Sequence, residues 1–125
     1  MQCLCIDTDY DSNLSLYQEK DRKARTQHNC CECDRIIQSG ELYRLETGKW
    51  GKEFARYKTC QDCLSLRNEF FCSWIFGQVR DLLIEELEWD LSIASEESIN
   101  RLTKNARNWI FGQIERIQSD EENGG

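Results

Sequence analysis

From Cys72 onward apolar residues recur at Phe76, Val79, Leu83 and Leu87, while Arg80, Asp81, Glu85 and Glu88 fall elsewhere, the period of an amphipathic helix. A second helix follows: Ser95 is a suitable cap, Glu96 and Glu97 suit its positive end, and Ile99, Leu102, Ala106, Ile110, Ile114 and Ile117 share one side. The last seven residues, SDEENGG, read as a disordered tail. Upstream the pattern changes. ELYRLET and KEFARYKT are rich in aromatic and β-branched residues and flank GKWG, whose two glycines suit a turn, so the segment predicts a β-hairpin. LSLRNEFF then runs without a helix breaker, with Thr59 as its cap.

The cysteines give these elements a purpose. Cys30 and Cys33 form one C-x2-C pair, Cys60 and Cys63 another, and 26 residues separate them. Zinc takes four thiolates at tetrahedral corners about 2.3 Å away, and a two-residue spacer lets one tight turn aim two sulfurs at one point. The hairpin brings the second pair back to the first, and that pair opens a helix. The order knuckle, β-hairpin, helix predicts a treble-clef arrangement; a zinc ribbon would end in another strand instead. The expected organisation is one α+β domain over 1–125, with an N-terminal extension (1–28), a zinc module (29–71), amphipathic helices (72–118) and the tail (119–125).

Four cysteines remain: Cys3, Cys5, Cys31 and Cys72. Their number matches a second tetrahedral site, although Cys72, between Phe71 and Trp74, also reads as an ordinary buried thiol. A short repeat, WIFGQV at 74–79 and WIFGQI at 109–114, has unrelated flanks and no second zinc module behind it. It reads as two core helices, each with a glycine allowing close approach. The alternative is an exposed aromatic anchor for a partner, formed by Trp74 or Trp109 with Trp50 and Trp89.

At 125 residues the chain has room for one modest core. Its start lacks the basic and apolar regions of a secretory signal and no stretch is long and apolar enough to span a membrane, so the expected location is the cytoplasm. In that reducing compartment eight cysteines point to metal rather than to a disulfide framework. Charge is segregated: residues 1–19 carry four acids and no base, residues 20–67 eleven bases against seven acids, and residues 68–125 five bases against twelve acids, within a net −7. This balance opposes direct nucleic-acid binding and favours a partner with a basic surface, met by Glu85, Glu86 and Glu88 together with a tryptophan. KDRKARTQH at 20–28 is the one run suited to phosphate. Catalysis is not expected. The single histidine, His28, cannot supply nuclease chemistry of the His-Asn-His type, no deaminase signature is present, and four thiolates leave zinc no open position.

The strings RKARTQHNCCECDRIIQSGELYR and YKTCQDCLSLRNEFFCSWIFG resemble a group of small phage and prophage zinc proteins sharing K-A-R-x2-H-x-C-x2-C, I-x2-G-E-x-Y, T-C-x2-C and F-F-C. The resemblance covers roughly residues 22–77. It implies Zn2+ at Cys30, Cys33, Cys60 and Cys63, with Gly40, Glu41, Leu42 and Tyr43 at the start of the first hairpin strand. Asp34 departs from the pattern, standing where a glycine is usual, so its turn is expected to be strained. By size and acidity the chain is also similar to anti-CRISPR proteins, small inhibitors of RNA-guided nucleases. That likeness implies a protein-binding inhibitor of a host nucleic-acid-processing enzyme such as a Cas effector, acting by blocking DNA loading. The alternative expectation is a nucleic-acid-binding zinc module acting as a regulator.

Overall fold

In the computed structural model, which describes residues 14–50 and 52–123, the chain runs through β1 (Leu14–Lys23), β2 (His28–Asn29), β3 (Ile36–Ile37), β4 (Leu42–Trp50) and β5 (Glu53–Cys60). It then becomes helical: α1 (Gln61–Phe70), α2 (Val79–Trp89), a 3-10 turn (Leu91–Ile93), α3 (Glu96–Asn100) and α4 (Lys104–Asn123). The protein is thus mixed α+β. No helix among the described residues is long and apolar enough to cross a membrane.

The expected hairpin is present as β4 and β5, antiparallel with Tyr43 opposite Cys60 and Lys49 opposite Phe54. It is not alone. β1 adds an antiparallel strand to the free edge of β4, giving the order β1-β4-β5, with a register shift between Ser15 and Gln18. Much of the segment read as an extension is therefore sheet. Its strand alternates charged residues of both signs, so it lacks the apolar periodicity that marks a half-buried strand, and pairing with β4 supplies what its sequence does not.

Two departures in the helical half have local causes. The helix expected from Cys72 begins only at Val79. Residues 72–78 turn instead, with Gly77 at φ +87°, because the Phe76 ring stacks on Tyr57 at 3.9 Å and Trp74 lies over Arg67 at 3.9 Å. The second helix is two. Ser95 caps α3 through Ser98 N–H (3.2 Å), and Thr103 then caps α4 by accepting from Ala106 N–H (3.2 Å). Ile99, Leu102, Ala106, Ile110 and Ile117 nevertheless line one buried face, as the periodicity predicts. α4 also runs to Asn123, into the segment read as a disordered tail.

Among the described residues there are two apolar clusters. One joins Leu66, Phe70 and Phe71 to the buried faces of α2, α3 and α4; the other gathers Ala24, Ile37, Tyr43 and Leu45 around Cys30, Cys60 and Cys63. α1 contributes to both. Between sheet and α1 lies a buried ion pair, Arg67 Nη1 to Glu46 Oε1 at 2.7 Å; Tyr17 donates its hydroxyl to the other Glu46 oxygen.

Candidate metal centre

The first C-x2-C pair sits in the tight turn between β2 and β3. Cys30 N–H donates to Arg35 O (2.9 Å) and Asp34 N–H to Cys30 O (2.9 Å), closing the knuckle. This requires a left-handed residue at its exit, and Asp34 has φ +60°, the strained turn expected at that position. Aspartate tolerates this conformation better than most side chains, and Asn29 Nδ2 secures it by donating to Asp34 Oδ1 at 3.1 Å. The second pair straddles the junction of β5 and α1. Cys60, not Thr59, is the cap: its sulfur accepts from Cys63 N–H at 3.5 Å.

These turns bring the sulfurs of Cys30, Cys33, Cys60 and Cys63 within 4.8 Å of one another. Metal–sulfur bonds of about 2.3 Å place the sulfurs of a tetrahedral site about 3.8 Å apart, and Cys33 Sγ lies 4.0 Å from Cys60 Sγ. The four residues can therefore hold a metal ion. Three of them are buried. Backbone N–H groups already point at the sulfurs, with Glu32 and Cys60 both donating to Cys30 Sγ at 3.4 Å.

Electrostatics fit a charged cluster. The Cys30 thiol lies beside three others; the one at Cys33 opposes its ionisation, while Cys60 and Cys63 outweigh that and bring its pKa down to about 6. At Cys33 the Cys30 sulfur is the main cause of a drop to about 6. Cys63 moves the other way, raised by hydrogen bonds with Cys30, Cys33 and Cys60. Two guanidinium groups border the sulfurs. Arg80 Nε donates to Cys63 Sγ at 3.3 Å while its guanidinium covers Trp109 at 4.8 Å. Burial opposes its charge, but the cysteine sulfurs prevail and raise its pKa. Arg35, paired with Glu41 at 3.0 Å, is raised first by that carboxylate and also by the Cys60 sulfur. Four thiolates around a divalent ion leave two net negative charges, which these arginines offset.

The spacers of the two pairs do something their cysteines do not. Glu32 accepts from Gly77 N–H (2.9 Å) and Val79 N–H (3.0 Å), capping α2, whose own Gln78 offers no side-chain cap. Asp62 accepts from the hydroxyl of Thr103, the cap of α4, at 2.6 Å. Each spacer thus carries an acid, immediately before its second cysteine, that docks the start of a distant helix. Neither acid, nor Arg35 or Arg80, is singled out by the motif; the repeated position of an acid in C-C-E-C and C-Q-D-C is the signal that was there to be read.

Of the leftover cysteines, Cys31 faces away from the cluster, 3.5 Å from Thr59 Oγ1, and burial pushes its thiol up to about 12. Cys72 is exposed and disulfide-bonded, which corrects its reading as an ordinary buried thiol, and a sulfur so engaged has no thiolate for a second site. Cys3 and Cys5 lie outside the described residues. Glu85, Glu86 and Glu88 are all exposed on α2, with Glu88 3.8 Å from Arg116. Trp74 and Trp109 are partly buried against the helical core, in line with the core reading of the repeat, each covered by an arginine, whereas Trp89 is 84% exposed.

No protein-family model, curated protein or solved structure matches this chain.

Proposed function

We propose that this protein is a zinc-stabilised binding module of the treble-clef type, and that it works by presenting its acidic helical half to a basic surface on a host protein. The observation that carries this reading is the closure of the metal centre: four thiol ligands, each fixed by backbone or arginine contacts, leave no position for substrate or activated water. The metal then holds elements together and binding supplies the activity. Zinc is the ion of choice because an all-thiolate tetrahedral set suits it over calcium or magnesium. Asp81, Glu85, Glu88 and Trp89 recur at helical spacing along the exposed side of α2, which puts an apolar anchor beside a row of charge, a combination suited to steered docking.

The partner this reading favours is a nucleic-acid-processing enzyme, whose substrate channel is basic; a Cas effector blocked from loading DNA is the specific form, motivated by the small size and acidity of the chain. The test is inhibition of target cleavage by such an effector pre-incubated with the zinc-loaded chain. Inhibition should weaken as salt rises and fall at least tenfold in the Glu85→Lys, Glu86→Lys, Glu88→Lys variant. Full cleavage in the presence of excess protein would remove the inhibitor version, and unaltered inhibition by the reversed variant would leave the helix face merely solvated.

A further inference from the structure

The sheet sorts its charges. Residues opposite one another in an antiparallel register point to the same face. Leu45 on β4 is opposite Lys20 on β1 and Lys58 on β5; Tyr43 is opposite Arg22; Thr47 is opposite Gln18 and Arg56; Lys49 is opposite Phe54. One face therefore carries Lys20, Arg22, Lys49, Arg56 and Lys58, with no carboxylate in the strand rows Gln18–Arg22, Tyr43–Lys49 and Phe54–Cys60; its inner half is covered where Tyr43, Leu45 and Cys60 are buried against the cysteine cluster, and Lys20 and Arg56 are its exposed bases. The acids of the same strands, Glu19, Asp21, Glu46 and Glu53, lie on the other face, where Arg44 and Arg67 take up the first three in ion pairs. Among the described residues Lys20, Arg22, Arg56 and Lys58 make no ion pair. In a chain of net −7, such sorting is not a by-product of composition.

The face has a shape as well as a charge. At its inner end the His28 ring tilts over Tyr43 (5.3 Å), with Lys58 Nζ 3.1 Å from its Nδ1, and an open cleft lined by Arg22, Lys23, Ala24 and Arg25 continues the positive strip. At its outer end Phe54 is 74% exposed, with the Lys49 ammonium over its ring at 5.7 Å. From the Tyr43 row to the Lys49 row is three steps of about 6.8 Å, so bases and aromatic span roughly 20 Å along the strands.

We infer that this face of the β1-β4-β5 sheet binds the sugar-phosphate backbone of single-stranded nucleic acid, with Phe54 as a stacking platform for a base. A positive track beside an exposed aromatic ring is the combination that holds single strands without sequence preference. A duplex keeps its bases stacked and offers Phe54 nothing to stack on. This surface is separate from the acidic side of α2, so it stands or falls independently of the protein-binding role proposed above.

The experiment is fluorescence anisotropy of the zinc-loaded full-length chain with a labelled 20-nucleotide oligothymidine, a duplex of equal length and a polyglutamate peptide, across about 25–200 mM salt. With about four phosphates neutralised, log K should fall against log salt with a slope near −3 on the single strand. Lys20→Gln with Arg56→Gln, both exposed positions, should weaken binding about tenfold and reduce the slope by about 1.4, with zinc content unchanged. Phe54→Ala should weaken the single strand about fivefold or more and leave duplex binding unaltered. The Glu85, Glu86, Glu88 reversal should not weaken the oligothymidine complex. Absence of binding at about 25 mM salt, indifference to the double substitution, or preference for polyglutamate or duplex would each overturn the assignment.

Discussion

The carboxylate of Glu32, in the middle of the first C-x2-C turn, accepts the backbone N–H of Val79, the first residue of α2, at 3.0 Å. A second bond to Gly77 N–H completes a cap delivered across 45 residues of sequence. It places a negative charge at the positive end of that helix, and it makes the helical half depend on the knuckle's geometry. Glu32→Ala should therefore destabilise the protein by roughly 2 kcal/mol, since hydrogen bonds to a charged group contribute more than neutral ones. Hydrogen exchange should quicken at the start of α2 while metal content stays the same; equal protection in the variant would show that the cap is dispensable.

Asp62 performs the corresponding task for α4, and its loss should be felt there. Asp62→Ala leaves the Thr103 hydroxyl and Asn105 Nδ2 without their acceptor, an expected cost of about 1–3 kcal/mol. If the two spacer acids act on separate helices, the Glu32→Ala and Asp62→Ala effects on the melting temperature should add.

The metal should be removable by acid as well as by chelator. Cys30 and Cys33 ionise near 6, below the ordinary thiol value of 9.0. A depressed pKa contributes stability that is complete above the unfolded value and disappears as pH falls through the folded one. Metal content and melting temperature should thus decline together as pH falls from about 9 through about 6. Elemental analysis at neutral pH should find one zinc for the four-cysteine cluster, absent in Cys60→Ser and retained in Cys31→Ser. A metal-free preparation melting like the loaded one would refute the site, because structural zinc typically contributes about 10 kcal/mol or more.

Arg80 bridges the metal centre and the helical core, touching Cys63 Sγ and Trp109. Arg80→Met keeps much of the packing and removes the N–H donor to sulfur. Zinc affinity should fall about 10–100-fold at unchanged stoichiometry, measured by competition with a chromophoric chelator.

The buried pair Glu46–Arg67, 0% and 1% exposed, is exacting in a different way. Glu46→Ala strands a guanidinium under the sheet and should cost about 3–5 kcal/mol, whereas Glu46→Leu combined with Arg67→Met should recover much of that loss. Denaturant unfolding of the two variants would distinguish these outcomes.

Much of this molecule was legible in advance because its signals are local. The spacing of Cys30, Cys33, Cys60 and Cys63 declared the cluster, since a C-x2-C turn sets the aim of two sulfurs without help from elsewhere. The glycine-centred hairpin and the apolar stripe from Ile99 to Ile117 were equally plain, for period and turn chemistry lie in neighbouring residues. Long-range relationships were not. WIFG is written twice, yet Gly77 sits in a turn at φ +87° while Gly112 lies within α4: the first copy is bent by Tyr57 and Arg67, residues brought to it only by the fold. β1 became a strand because β4 offered an unpaired edge. The charge sorting of the sheet depends on the register of three strands, and the docking of α2 and α4 depends on single carboxylates at Glu32 and Asp62. Local pattern set the places of the cysteine cluster, the hairpin and the helical faces. Tertiary structure alone decided which charges share a surface and how the two halves are joined, because those depend on contacts between residues far apart in the chain.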